Sequence, residues 1–255
     1  MLGLEGLGLV LGTSAGSVIN PSFPVVRNLS LPAGDQVLYT VPTGKKALVV
    51  DVWVTNPTAG GITYFTKLTT PNGTFQIGAG KTEGAAGIGH NYGSNGSNSI
   101  PIVMNAAEVL TINSSALGMS AWLSVIEFDA SSALSRWDIQ TWVNGNNVLY
   151  THPAGKTVVF GSISGTAINN PVETMTGFAI FNASGSTRTY VGPYIVPAAG
   201  SPTTSNQFGG SNALISGQGF FKFFPGGLAT GDTIVITTSD ANNTGQIAWI
   251  NGMQF

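Results

Sequence analysis

The chain has 255 residues, only 8% of them charged against roughly 25% in ordinary soluble domains, and its formal net charge of -2 comes with no basic cluster. That balance speaks against a phosphate-binding surface and hence against a nucleic-acid partner, and the absence of cysteine excludes a disulfide framework and a thiolate metal site. With 42% hydrophobic residues the composition is not that of a disordered chain, and no apolar run approaches the ~18 residues of a membrane span, so no membrane partner is expected.

A surface this poor in charge has little electrostatic defence against association. The expectation is a surface largely consumed by partner subunits, with an extracellular domain as the alternative. Residues 1–26 are rich in Gly, Leu and Ser, with Glu5 as the only charge before Arg27. A signal peptide would want Lys or Arg before its apolar core, and glycine at positions 3, 6, 8 and 12 discourages a helix. The segment reads as an extended N-terminal arm that orders against a neighbouring subunit, with a signal peptide as the alternative.

The first unit is placed at residues 27–130. It opens on Val37-Leu38-Tyr39-Thr40-Val41-Pro42-Thr43-Gly44-Lys45, which returns 111 positions later as Val148-Leu149-Tyr150-Thr151-His152-Pro153-Ala154-Gly155-Lys156 with seven of nine residues identical. Alternation puts Val37 and Tyr39 on one strand face, and Pro-x-Gly ends the strand in a tight turn. The next strand, to Asn56, sets Leu48, Val50, Val52 and Val54 on one face and Val49, Asp51, Trp53 and Thr55 on the other. Residues 62–69 return, and residues 71–99, rich in Gly, Asn and Ser, read as one long loop. Strands at 100–104, 108–113 and 121–128 complete the unit.

Residues 130–133 read as a linker, and the second unit, 136–255, repeats the plan. Its strands are expected at 147–151, 157–163, 177–182, 187–193, 220–224, 232–238 and 248–255, with a loop at 197–219. Three further blocks match in order: Val54-Thr55-Asn56 with Ile180-Phe181-Asn182, Glu108 to Ile112 with Asp232 to Ile236, and Ala121 to Phe128 with Ala248 to Phe255. The shifting offsets place the largest insertion around residues 164–176. Trp122 and Trp249 are expected in equivalent buried positions, as are Tyr39 and Tyr150. Many short strands with turn signals between them give the fold class: all-β, two tandem jelly-roll-like β-sandwich domains with an extended N-terminal arm.

Little here resembles a chemical site. The two histidines, His90 and His152, are too few for a metal centre of their own, and packed or solvated histidines are the ordinary outcome. His152 stands where the first copy has Val41, without evident consequence. Glu127 and Asp129 share a strand face as a glycosidase pair would, but the second copy has Gln254 at the first of these positions. Lys45 and Lys156 each follow a turn glycine, where a solvated lysine is ordinary and a nucleophile would want an apolar pocket. Six Asn-x-Ser/Thr sequons, at Asn28, Asn72, Asn95, Asn113, Asn182 and Asn242, are what a chain this rich in Asn, Ser and Thr supplies by chance. No catalytic, cofactor-binding or metal-binding residue is assigned, and no cofactor is expected.

The motif at residues 37–45 leading to Asn56, its second copy at 148–156, and the closing segments Gly231 to Thr238 and Ala248 to Phe255 resemble stretches of tailed-bacteriophage virion proteins. The resemblance implies a non-enzymatic structural protein of the virion. Within that class it implies a capsid cement or decoration protein at the capsid surface, binding between major-capsid subunits and self-associating as a trimer. A neck, tail or fibre-associated component is the alternative. Two readings from other classes stay open: a carbohydrate-binding module or adhesin, and a glycan-degrading enzyme, which the poverty of acids disfavours.

Overall fold

The computed structural model describes residues 21–56, 61–81, 89–91, 102–141, 143–165, 175–181, 187–192, 206–207, 229–238 and 247–255, and no helix occurs among them. The first half contains β1 (Val26–Leu31), β2 (Gly34–Thr40), β3 (Lys45–Thr55), β4 (Thr63–Thr70), β5 (Gly73–Lys81), β6 (Gly89–Asn91), β7 (Ile102–Met104), β8 (Val109–Ser114) and β9 (Met119–Asp129). The second contains β10 (Leu134–Ile139), β11 (Gly145–Thr151), β12 (Val158–Gly165), β13 (Met175–Phe181), β14 (Thr187–Gly192), β15 (Asn206–Gln207), β16 (Thr233–Thr238) and β17 (Ala248–Gln254).

The sheets repeat. In the first half the strand orders are β1-β9-β3-β6, with β7 also on β3, and β2-β8-β4-β5; in the second they are β10-β17-β12-β15 and β11-β16-β13-β14. With β7 set aside, each half therefore arranges eight strands as 1-8-3-6 and 2-7-4-5, which is the jelly-roll order, and every pairing is antiparallel. Val52, Val54, Ala121 and Leu123 of the β9 sheet join Tyr64, Leu68, Ile77, Leu110 and Ile112 of the β8 sheet in one buried cluster. Each Val, Leu or Ile among them contributes about 1.5–3 kcal/mol relative to exposure.

Two bulges overturn the simple alternation expected of the repeated motif. Register slips between Val37 and Tyr39 and again between Val148 and Tyr150. The extra residue turns Leu38 and Tyr39 inward together while Val37 is 58% exposed, and Leu149, Tyr150 and Val148 repeat the pattern. Val37 and Tyr39 thus lie on opposite faces, not one. A second slip, between Val49 and Asp51, has its counterpart between Phe160 and Ile163. It places Ala47, Val49, Val52 and Val54 in the first core and sends Leu48 and Trp53 to the other side of the sheet.

The turn closing the motif is also duplicated. Gly44 and Gly155 adopt φ of 78° and 68°, the left-handed region that side chains with a Cβ resist. A second turn pairs with it. Glu108 N–H donates to Asn105 O while the Glu108 carboxylate accepts from Asn105 N–H, and Asp232 makes the same two bonds with Ala229. Val41 and His152 N–H donate to the carbonyls of Glu108 and Asp232 in turn.

The expected long loop at 71–99 begins as a strand. β5 pairs with β4 from Thr63↔Lys81 to Thr70↔Gly73, and its inward residues Phe75 and Ile77 are buried. The arm's last residues already touch the body, since Ser22 bridges Glu127. The expected strand at 220–224 lies outside the described residues, as do the arm before residue 21 and all but the ends of the insertion placed around 164–176.

Candidate functional site: the seam between the two repeats

The β17 sheet of the second repeat has two faces with different neighbours. On β17, Trp249, Asn251 and Met253 share one parity and face the first repeat. Trp249 belongs to the buried cluster of the first repeat, while Met253 packs with Leu48, Val103 and Leu134. Val50, Phe128 and Ala133 close this second cluster at its margin. The seam is therefore apolar over much of its area.

Polar groups lock it. Arg136 on β10 donates from Nη1 and Nη2 to the two carboxylate oxygens of Glu108, each at 2.7 Å, and from Nε to Asp138 at 2.7 Å. Nη1 also donates to Val103 O at 2.7 Å, and Val103 N–H donates to Asn251 Oδ1 at 2.9 Å. The N–H and the C=O of Val103 on β7 are thus both held by the second repeat. The Arg136 and Glu108 side chains are each only 3% exposed. Burial pushes the guanidinium pKa down, but the hydrogen bond to Glu108 and the charges of Asp138 and Glu108 outweigh it and hold it above its ordinary value. Lys46 adds a tether across the connection, donating to Ser132 O at 3.0 Å and Leu134 O at 2.8 Å, and burial pushes its pKa below the ordinary value. Nothing in this arrangement activates a nucleophile or leaves a carboxylate open to substrate. It is built to join surfaces.

The residues weighed from sequence fall elsewhere. Glu127 accepts from Tyr39 Oη at 2.6 Å and Ser22 Oγ at 2.9 Å, and Asp129 pairs with Lys45 at 2.7 Å, so each carboxylate is engaged in holding strands. The hydrogen bond that Lys45 donates to Asp129 holds the lysine pKa up, while Lys156 is exposed. His152 is buried, and its Nδ1 lies 3.2 Å from Tyr150 Oη. That gives the exchange with Val41 a consequence. The first repeat satisfies its tyrosine through Glu127, whereas the second has Gln254 there and supplies His152 instead. Among the described residues no group of three or more His, Cys, Asp or Glu is placed to hold a metal ion. The His90 side chain lies outside the described residues.

Tyr39 and Tyr150 are both buried, at 8% and 5% exposure, as expected. The tryptophans are not alike. Trp249 is fully buried in the seam, while Trp122, at the equivalent strand position, is half-buried on the outer face of the β9 sheet. Sequence reasoning missed Arg136, Glu108 and Asn251 as the residues that join the repeats. The only signal was an Arg and an Asn on strands otherwise headed for a core.

No protein-family model matches the chain, and no characterised protein matches it in sequence. Among solved structures it is similar to the major capsid protein of Sulfolobus turreted icosahedral virus, at 10% identity and a TM-score of 0.29, over 93% of this chain and 96% of that one. A chain in the atomic structure of the same virus is similar at 12% identity and a TM-score of 0.24, over 89% of this chain and 59% of that one. A putative alpha-L-fucosidase from Bacteroides ovatus is similar at 14% identity and a TM-score of 0.22, over 90% of this chain and 36% of that one.

Proposed function

We propose that the chain is a non-enzymatic structural protein of a virion, acting through protein–protein interfaces. The observation that carries this reading is the jelly-roll strand order built twice in tandem and joined through a buried seam. Jelly rolls serve as capsid, lectin and cupin domains. A cupin-type reading wants a cluster of metal ligands, and the described residues place none together. The two repeats act as two domains, meeting at the connection 130–133, that present one joined surface to their neighbours.

The finer reading is a capsid cement or decoration protein, trimeric, bound between major-capsid subunits at the capsid surface. Low charge supports it, because much surface can be buried without desolvating ions. Each added interface stabilises a shell by mass action, and no chemistry is needed. The test is imaging of particles carrying a labelled chain, together with their heat resistance. Label over the capsid, with shells that disrupt at lower temperature when the chain is missing, is the expected result. Label on a neck, tail or fibre moves the assignment there, and its absence from particles removes the reading.

One observation favours a second reading. Trp53 is 44% exposed beside Trp122 on a sheet face, which is a platform on which a sugar ring can stack. Binding on a glycan array that is lost in Trp53→Ala would establish a carbohydrate-binding module instead.

A further inference from the structure

The seam covers one of two equivalent faces. Antiparallel counting from Val26↔Leu123 to the Ser22↔Glu127 bridge sets Phe23 beside Ile126 and Val25 beside Ser124. On β10, Leu134 stands beside Met253 and Arg136 beside Asn251. Because Trp122, Ser124 and Ile126 return as Trp249, Asn251 and Met253, Phe23 is the counterpart of Leu134 and Val25 the counterpart of Arg136. In the second repeat this set is buried, with Leu134 at 2% exposure, Asn251 at 1% and Met253 at 8%. In the first repeat Phe23 is 62% exposed, Val25 93%, and Trp53, directly across from Trp122, 44%. Exposed large apolar side chains that are neighbours on one face mark an interaction surface.

We propose that this face, centred on Phe23, Val25, Trp53 and Trp122, binds the second repeat of another copy of the chain, in the packing that joins the two repeats within one chain. The covering surface inside the chain is β7, the turn ending at Glu108 and, from the outer face of the first sheet, Leu48 with Val50 and Phe128 at its margin. β7 has no counterpart among the described residues of the second repeat. The corresponding turn is rebuilt at Ala229 to Asp232 with the same hydrogen bonds, and its Ala229 is exposed. The fold thus makes the receiving turn twice and uses it once within the chain. Val25 in place of Arg136 removes the guanidinium, so the second contact has no counterpart of the Arg136–Glu108 ion pair. The first repeat of one copy meets the second repeat of the next, so the contact is head-to-tail and closes into a ring when its rotation permits.

This deepens the assembly reading and rests on it, but it is tested on the purified chain. Sedimentation of the wild type is expected to show association that Val25→Glu and Trp53→Glu each weaken at least about tenfold, with the melting temperature retained. The chain has no cysteine, so a Val25→Cys chain mixed with an Ala229→Cys chain can be joined by a bis-maleimide. The expected product is a cross-linked pair in the mixture and none from either chain alone. A monomeric wild type, which is also the outcome if residues 1–20 of the same chain cover the face, overturns the proposal. Undiminished association of the glutamate variants, or Val25→Cys joining to itself, overturns it equally. A chain that associates through this face but is absent from particles overturns only the virion reading. A chain found in particles whose glutamate variants associate normally overturns only the interface.

Discussion

The two repeats have the same strand order, matching bulges in β2 and β11 and in β3 and β12, and the same pair of turns, yet their outer sheet faces end differently. In the second repeat Trp249, Asn251 and Met253 are sealed against β7 by an ion pair and an apolar cluster. In the first, Trp122 is half-buried and its neighbours Phe23, Val25 and Trp53 are open. The difference separates two kinds of constraint. The bulges of the repeated motif and of the strand after it, the glycine that closes the motif and the carboxylate-capped turn serve the sandwich itself and recur in both copies. The outer face answers only to what lies beside it, so Arg136 and Val25 can occupy one position in the two copies.

The sharpest way to break this comparison is to make the same change at both positions. Trp249→Ala is expected to lower stability by about 3–5 kcal/mol in denaturant unfolding, the range for emptying a large aromatic site, and Trp122→Ala by less than about 2. Equal losses would mean that Trp122 is buried as well. Arg136→Ala leaves Glu108 buried without its partner and should cost about 3–5 kcal/mol, whereas Val25→Ala in the isolated chain should stay within roughly 0.5. Joint replacement of Arg136 by Met and Glu108 by Leu should recover only part of the loss, because the pair's desolvation offsets much of its attraction but Asn105 N–H, Val103 O and Asp138 lose their bonds as well.

The tyrosines sharpen the comparison on the pH axis. Burial pushes the Tyr150 hydroxyl up to about 12 from its ordinary 10.0. Burial, and then the hydrogen bond to Glu127, moves Tyr39 in the same direction. Both folded pKa values are raised, so the unfolded chain ionises first. The contribution is full below pH 10 and is lost as pH rises towards about 12 for Tyr150 and beyond for Tyr39. For Tyr150 the loss is at most about 2–3 kcal/mol, and Tyr150→Phe should flatten that part of the alkaline unfolding curve. Smaller still, Gly44→Ala and Gly155→Ala should each cost about 1–2 kcal/mol and by like amounts, since both sit in open space and only the left-handed backbone is strained. Ala107 has φ of 67° where the second repeat has Gly231, so Ala107→Gly should be neutral or stabilising by up to about 1 kcal/mol.

Local signals made much of the fold legible in the sequence. The duplicated motif, its Pro-x-Gly turn and most strands were readable because each is written within ten residues. The bulges were not, since they add one residue to a strand whose partner lies far along the chain. β5 was hidden because Gly73, Gly78 and Gly80 make its sequence resemble a loop, and only its pairing with β4 makes it a strand. The seam was the least legible part. Its bonds join Glu108 to Arg136 across 28 positions and Val103 to Asn251 across 148. The alignment of Trp122 with Trp249 was right, but burial on an outer face is decided by the neighbour and not by the strand.

The interior position of the last strand in each repeat also orders events during synthesis. The β8 sheet has all its strands once Ser114 has emerged, but β1 and β3 have nothing between them until β9 follows. In the second repeat β10 and β12 wait in the same way for β17, which also carries Asn251 to the peptide of Val103. Until then Glu108 and Arg136 remain hydrated and both outer faces are incomplete. A prematurely released chain lacking β17 therefore offers chaperones and proteases an unfinished sheet edge and an uncovered apolar surface. The strand order thereby means that the chain completes its own seam only after β17 has been made.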